Sequence, residues 1–196
     1  MSFKLIVFIL PLSILLACTK ENNTNNPTGT PDKNLIPLKK GNNWNYIYYN
    51  YDDNGNLQST THWSDSIVST MSHNGNTYYD ARWNIRNVDT NTVEVKRDNG
   101  RIEIFFKRVF TDDTVIYTDT LSPLDNTVRK LVAYATPVNI LGYSCIKNEV
   151  VYTTMGVTVE KNVTYIKPGI GIVRYEFYYG NTNLVDRFDL VSYSLK

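Results

Sequence analysis

The sequence is poor in the residues on which most metal and nucleophilic chemistry depends. Its 196 residues include two cysteines and two histidines, and 20 basic side chains stand against 19 acidic ones. A chain without a basic excess lacks the charge with which proteins neutralise phosphates, so we expect no nucleic-acid partner. His62 and His73 have no ligand spacing to each other or to a cysteine, and we expect no metal and no other cofactor.

The sequence also lacks the nucleophile elbow G-x-S-x-G. Several carboxylates fall in predicted strands, where most of them alternate with basic or polar residues, and this pattern favours a solvated outer face. These carboxylates are Glu94, Glu103, Glu149, Glu160, Glu176, Asp186 and Asp189. We therefore predict that the protein is not an enzyme. The alternative is a hydrolase in which two of these carboxylates meet across a sheet and act as acid and base.

No apolar run is long enough to cross a bilayer core, which takes about 20 residues. Residues 5–16 form an apolar run that Pro11 and Ser13 interrupt, and the run follows a start with a single positive charge, Lys4. A charged start, a short apolar run and a small residue at its end are typical of a secretory signal peptide.

The end of this run, Leu15-Leu16-Ala17-Cys18, resembles the lipobox of bacterial lipoproteins. The resemblance implies cleavage between Ala17 and Cys18, a diacylglyceryl group on the sulfur of Cys18, and an acyl chain such as palmitate on the new amine. The protein would then be held to a membrane by the lipid on Cys18, and two or more chains hold a protein durably. An ordinary secretory signal or an uncleaved anchor is the alternative.

The chain after Cys18 divides into two segments. Residues 19–33 contain no apolar side chain apart from prolines and cannot offset the entropy of ordering. We predict a signal peptide over residues 1–17, a lipidated cysteine with a flexible tether over residues 18–33, and one domain over residues 34–196. The tether spans roughly 20 Å as a flexible coil.

From residue 34 onward, short runs of aromatic and β-branched residues alternate with turns, and no segment keeps a helical period. Asn-Gly pairs, which favour hairpins, stand at residues 54–55, 74–75 and 99–100. We predict an all-β fold of about ten strands in a single antiparallel meander sheet, curled into a half-barrel or a barrel-like form. The predicted strands are residues 44–51, 59–71, 77–86, 92–96, 101–107, 114–118, 127–136, 145–154, 157–166, 172–179 and 184–195.

Two stretches of the predicted domain resemble uncharacterised lipoproteins of Bacteroidota. Residues 36–46 match a PL-x-x-G-N-x-W-x-Y opening, and residues 165–176 match a Y-x-x-x-G-x-G-x-V-x-x-E segment. The two stretches lie near the two ends of the domain and so enclose nearly all of it. Their resemblance implies an antiparallel sheet, and by analogy this sheet could form a half-barrel like that of LolA-type lipoprotein carriers. It implies no activity, because a shared fold does not fix function.

Glycines and the second cysteine predict local structure. Gly169 and Gly171 follow Pro168, so we expect a tight bend with positive φ, and a following strand excludes a dinucleotide-type phosphate loop. The turn at Gly41 is expected to send Trp44 into the core. Cys145 lies in a predicted strand and has no partner for a disulfide if Cys18 is lipidated, so we predict a buried structural thiol.

The aromatic residues outnumber what one core face requires. Neighbouring aromatics in a strand point to opposite faces, so some must lie outside the core. We predict that cross-strand packing on a curled sheet uses most of them, and the alternative is an aromatic platform for sugar rings or an apolar ligand. The candidate ligand-binding residues are Tyr48, Tyr49, Trp63, Trp83, Tyr178 and Tyr179.

These features together predict a cell-envelope lipoprotein, anchored to the outer membrane in either leaflet. We expect it to bind a partner or a ligand, either a glycan or an apolar molecule, without catalysis. Exposed aromatic side chains at strand centres would favour a glycan, and a lined apolar cavity would favour a lipid. A structural or assembly role in the envelope is the alternative.

Overall fold

The computed structural model describes residues 34–111, 114–122, 124 and 126–196. The predicted signal peptide, Cys18 and the tether lie outside these residues. The described chain forms thirteen β-strands: β1 Asn43–Tyr51, β2 Leu57–Ser66, β3 Ser69–His73, β4 Asn76–Asp80, β5 Asn84–Asp89, β6 Thr92–Lys96, β7 Ile102–Lys107, β8 Thr114–Ser122, β9 Thr127–Ile140, β10 Tyr143–Thr154, β11 Val157–Lys167, β12 Gly171–Tyr179 and β13 Asn183–Ser194. Within this part of the chain, no helix has the length and apolar character needed to cross a membrane.

The prediction of an all-β antiparallel fold is confirmed, but the described strands form two sheets where the sequence predicted one. The large sheet has eight strands in the order β2-β1-β13-β12-β11-β10-β9-β8, and the small sheet has five in the order β3-β4-β5-β6-β7. The large sheet is open, with β2 and β8 at its edges. The first and last strands of the described chain are neighbours inside this sheet, because β1 pairs with β13 along most of its length.

The two sheets separate where the sequence predicted one continuous strand, residues 59–71. Ile67 interrupts that strand, because its side chain is buried in the core and its backbone bonds to the segment before β1. The Ile67 N–H donates to the Asn42 carbonyl over 2.9 Å, and the Ile67 carbonyl accepts from the Gly41 N–H over 2.9 Å. The chain therefore leaves the edge of the large sheet here and begins the small one.

A buried asparagine joins the two sheets. Asn148, on β10, accepts a hydrogen bond from the Lys107 N–H on β7 over 2.8 Å and donates one to the Lys107 carbonyl over 2.9 Å. Its amide thus pairs with the backbone of β7 as a neighbouring strand would, although β7 belongs to the other sheet. The core between the sheets is apolar and includes Ile85, Val93, Val95, Phe106, Ile146 and Ile166.

The turn between β11 and β12 has the predicted backbone. Gly169 and Gly171 have φ angles of +79° and +109°. Trp44 packs against this turn with 4 % of its surface exposed, as the sequence predicted, and its indole Nε1 donates to the Ile170 carbonyl over 2.6 Å. Cys145 is a free, fully buried thiol in the same core, and burial raises its pKa to about 11.

Candidate ligand-binding cleft

An aromatic cleft of about 470 Å³ opens between the large sheet and the loop that joins β4 to β5. Four strands of the large sheet contribute to its walls, and the loop contributes two residues. The lining side chains are Tyr48, Trp63, Arg82, Trp83, Tyr175, Phe177, Asp186 and Phe188.

Strand periodicity and register bring the sheet residues of the cleft together. Tyr175 and Phe177 are two residues apart on β12 and therefore face the same side. Their neighbours on β13 are Phe188 and Asp186, and Phe188 is in turn paired with Tyr48 on β1. The Tyr48 and Phe188 rings have centroids 4.7 Å apart, and the Tyr175 and Phe188 centroids are 6.3 Å apart. Three adjacent strands thus present a continuous aromatic floor.

Arg82 covers part of this floor from the loop side. Its guanidinium carbon lies 3.6 Å from the Phe188 ring centroid, and the Trp63 and Trp83 centroids are 5.3 Å and 5.2 Å away. Burial lowers the pKa of Arg82, and the negative charge of Asp65 opposes that effect. Among the described residues no carboxylate lies within ion-pair distance of Arg82. Stacking on the rings is therefore the interaction that holds its side chain.

Two carboxylates add hydrogen-bonding groups beside the rings. Asp186 accepts hydrogen bonds from the Tyr48 hydroxyl over 2.6 Å and from the Asn50 amide over 3.1 Å. Burial, together with the bond to Asp186, raises the pKa of Tyr48. Asp65 accepts a hydrogen bond from the Trp63 indole over 2.7 Å, and burial raises the pKa of Asp65. The cleft therefore combines ring faces with fixed polar groups.

The structure brings three of the candidate aromatics, Tyr48, Trp63 and Trp83, into the cleft. The other three lie elsewhere. Tyr49 points to the opposite face of the large sheet, where Arg187 stacks on its ring with 4.3 Å between the guanidinium carbon and the centroid. Tyr178 is on that face too, and its hydroxyl donates to Glu176 over 2.8 Å.

Tyr179 shares a face with Phe177, and their centroids are 5.9 Å apart, but it is 64 % exposed and does not line the cleft. Five cleft residues were not among the candidates from the sequence: Arg82, Tyr175, Phe177, Asp186 and Phe188. The alternation of Asp186 and Phe188 along β13 could have placed those two on one face. Arg82 stands in an irregular loop, which gives no periodic signal.

The carboxylates do not all lie on a solvated face, as the sequence led us to expect. Glu103, Glu176 and Asp189 are 6–8 % exposed. Each has an arginine partner: Glu103 lies 2.9 Å from Arg97, Glu176 lies 3.8 Å from Arg174, and Asp189 lies 3.2 Å from Arg187. A buried carboxylate needs such a partner to remain charged, and local sequence alternation does not reveal partners from other strands.

The described residues show no group of three or more histidine, cysteine, aspartate or glutamate side chains that could hold a metal ion. His62 lies on the exposed edge strand β2, and His73 packs edge to face against Tyr78 with ring centroids 6.3 Å apart.

Comparison with known proteins finds structural neighbours of this chain, among them two crystal structures. No protein-family model matches the chain, and no curated protein matches it. A crystal structure from Bacteroides fragilis, of a protein described as exported and as having a YmcC-like fold, aligns with 82 % of this chain and 98 % of its own, at 12 % identity and a TM-score of 0.36. A crystal structure from Parabacteroides distasonis, of a protein described as a lipoprotein, aligns with 85 % of this chain and 100 % of its own, at 14 % identity and a TM-score of 0.37.

Proposed function

We propose that this chain is a cell-envelope lipoprotein that binds a glycan in the aromatic cleft and catalyses no reaction. The lipobox ending in Cys18 supports the lipid anchor, and the polar segment after it supports a tether that holds the domain away from an outer-membrane surface. The observation that carries the proposal is the cleft itself, in which aromatic rings and hydrogen-bonding side chains alternate within one open site.

A sugar ring presents an apolar face of C–H groups and a rim of hydroxyls. Trp63, Trp83 and Phe177 offer ring surfaces for the apolar face. Arg82 offers donors and Asp186 offers acceptors for the hydroxyls, and both are already oriented by contacts within the protein. A small number of fixed polar groups among apolar walls is the usual composition of a small-molecule site.

An apolar ligand is less well matched to these surroundings. The apolar cavity beside Trp44 and Ile36 measures about 30 Å³, which is room for two or so water molecules and not for an acyl chain. In the larger cleft, an acyl chain would cover Arg82 and Asp186 without hydrogen-bonding to them, and burying unpaired polar groups costs about 1–3 kcal/mol each.

The test is binding of the full chain, in a neutral detergent, to soluble dextran, mannan, xylan and pectin, measured by affinity electrophoresis and by calorimetry. We expect retardation by at least one polysaccharide. Replacing Trp63 or Trp83 by alanine removes a ring whose burial against the sugar contributes about 1.5–3 kcal/mol to the binding free energy. The affinity should therefore fall about tenfold to a hundredfold. Tyr49→Ala is the matched control, because Tyr49 lies on the opposite face of the same sheet.

The outcomes separate the competing functions. Binding that falls in both tryptophan variants and not in the Tyr49 variant supports the glycan site. Equal losses in all three variants would place the binding outside the cleft. A lipid-sized mass that co-purifies in native mass spectrometry and disappears on denaturation would favour an apolar ligand instead. Shortened sugar chains released from a retained polysaccharide would favour the hydrolase alternative.

A further inference from the structure

A second, smaller cavity lies behind the floor of the cleft. It measures about 40 Å³, and Trp83 and Tyr175 line both spaces. Its remaining walls come from β9, β10 and β11 of the large sheet and from the small sheet. They include Arg97, Arg129, Tyr152 and Thr164, so donors of hydrogen bonds predominate. This cavity is more polar than the cleft beside it.

Arg129 is fully buried in the wall of this cavity, and most of its hydrogen-bonding capacity is unused. One terminal nitrogen, Nη2, donates to the Ile104 carbonyl over 2.7 Å. Nε lies 3.4 Å from Glu103 without the geometry of a hydrogen bond, and Nη1 has no hydrogen-bond partner among the described residues. A buried donor without a partner costs free energy, more so when it is charged, and most buried donors in proteins are satisfied.

One buried carboxylate serves three guanidinium groups at the cavity. Glu103 lies 2.9 Å, 3.5 Å and 3.4 Å from nitrogens of Arg97, Arg101 and Arg129. The side chains of Arg97 and Arg101 are 37 % and 29 % exposed, and Arg101 also pairs with Asp119, so water and this second partner compensate their charges. Arg129 is 1 % exposed and has only its share of Glu103, without a hydrogen bond, to compensate its charge.

We propose that the cavity binds one monovalent inorganic anion of about the size of chloride, held by Arg129 from one side. The cavity volume accommodates one such ion, since about 10–15 Å³ suffices for a water molecule. The ion completes the compensation of the buried Arg129 charge and accepts the hydrogen bond that Nη1 of Arg129 offers. The site is separate from glycan binding, because Trp83 and Tyr175 stand between it and the cleft.

The experiment compares unfolding of the full chain in sodium bromide and in sodium gluconate at equal ionic strength, in chloride-free neutral detergent. Bromide fits the cavity and gluconate does not. Above its dissociation constant, each tenfold rise in bromide should raise the folding equilibrium constant about tenfold, while gluconate leaves it unchanged. The variant Arg129→Met should lose this response. Arg86→Gln is the control, because Arg86 pairs with Glu94 in the small sheet away from the cavity.

Bromide anomalous scattering gives a second readout that does not depend on whether the Arg129 variant folds. Crystals of the unaltered protein grown with bromide should show an anomalous peak beside Arg129 Nη1. An empty anomalous map in the cavity, or unfolding curves that coincide in bromide and gluconate, would overturn the proposal and assign the cavity to water. A bromide response that persists in Arg129→Met would also overturn it.

Discussion

Gly171, the first residue of β12, has a φ of +109°, a conformation that side chains with a Cβ rarely adopt. A Cβ added there would lie 3.3 Å from Nε1 of Trp44 and 3.6 Å from Cγ2 of Ile36. Neither neighbour can move freely, because both are buried and the indole is fixed by its 2.6 Å hydrogen bond to the Ile170 carbonyl. The variant Gly171→Ala therefore combines backbone strain with overpacking.

Each of these two effects costs about 1–3 kcal/mol, so we expect Gly171→Ala to lower the free energy of unfolding by about 2–6 kcal/mol. The matched control is Gly55→Ala in the hairpin between β1 and β2. Gly55 has a φ of +79° and open space where the Cβ would stand. Gly55→Ala therefore introduces only backbone strain, which lowers the free energy of unfolding by about 1–2 kcal/mol.

The assay is urea unfolding followed by tryptophan fluorescence. The denaturant slope should be the same for the two variants and the unaltered protein, so that the midpoint reports stability. If Gly171→Ala is no less stable than Gly55→Ala, the packing of Trp44 against this turn does not have the rigidity that the hydrogen bond implies. The side chain at residue 171 would then add no overpacking cost to the backbone strain.

Three further predictions concern buried polar groups. Replacing Asn148 by leucine leaves the Lys107 N–H and carbonyl without their partner. We therefore expect urea unfolding to show that the free energy of unfolding falls by about 2–5 kcal/mol. A fall below about 1 kcal/mol would contradict the role of Asn148 in joining the two sheets. Burial, and the charge of Glu176, raise the pKa of Tyr165 to about 12. Its contribution to stability is complete below about pH 10, the pKa of an unfolded tyrosine, and is lost as pH rises through about 12. The urea midpoint of Tyr165→Phe should therefore fall less steeply over this pH range than the midpoint of the unaltered protein. The buried thiol of Cys145, with its pKa raised to about 11, should react with a disulfide reagent near pH 8 only as fast as the protein unfolds, and labelling at the rate of a free thiol would contradict this.

Much of the local structure was predictable because short-range chemistry determines it. The Asn-Gly pairs do form turns between strands, and Asp52 shows why the first one is stable: its carboxylate accepts the backbone N–H groups of Asn54 and Asn56 over 2.9 Å and 2.8 Å. The positive φ at Gly169 and Gly171 followed from a turn in which only glycine is free of a steric penalty.

The division into two sheets was not predictable in the same way. Alternation along a strand shows which residues share a face, but not which strand lies beside it. The pairing of β1 with β13 joins Asn43 to Ser194, and nothing in either segment's pattern identifies the other. The same limit applies to the cleft. Tyr48 and Trp63 were candidates because aromatics are dense there, yet only the register of β1 with β13 places Phe188 and Asp186 beside Tyr48.

The position of the cleft agrees with the proposed lipid anchor. The described chain begins at Asn34, whose carbonyl accepts the Gly169 N–H over 3.0 Å at the turn between β11 and β12. Phe177, in the cleft, is eight residues further along the chain, near the other end of β12, which places it about 25 Å from that turn at the rise of an extended strand. If Cys18 carries the lipid, the domain is therefore held beside the turn between β11 and β12. Arg82 and Trp83 lie near this attachment, because they line a cavity together with Ile36, whereas Phe177 lies near the far end of β12. Phe177 is therefore the part of the cleft that a polysaccharide would reach at the greater distance from the anchor, in whichever leaflet the protein is held.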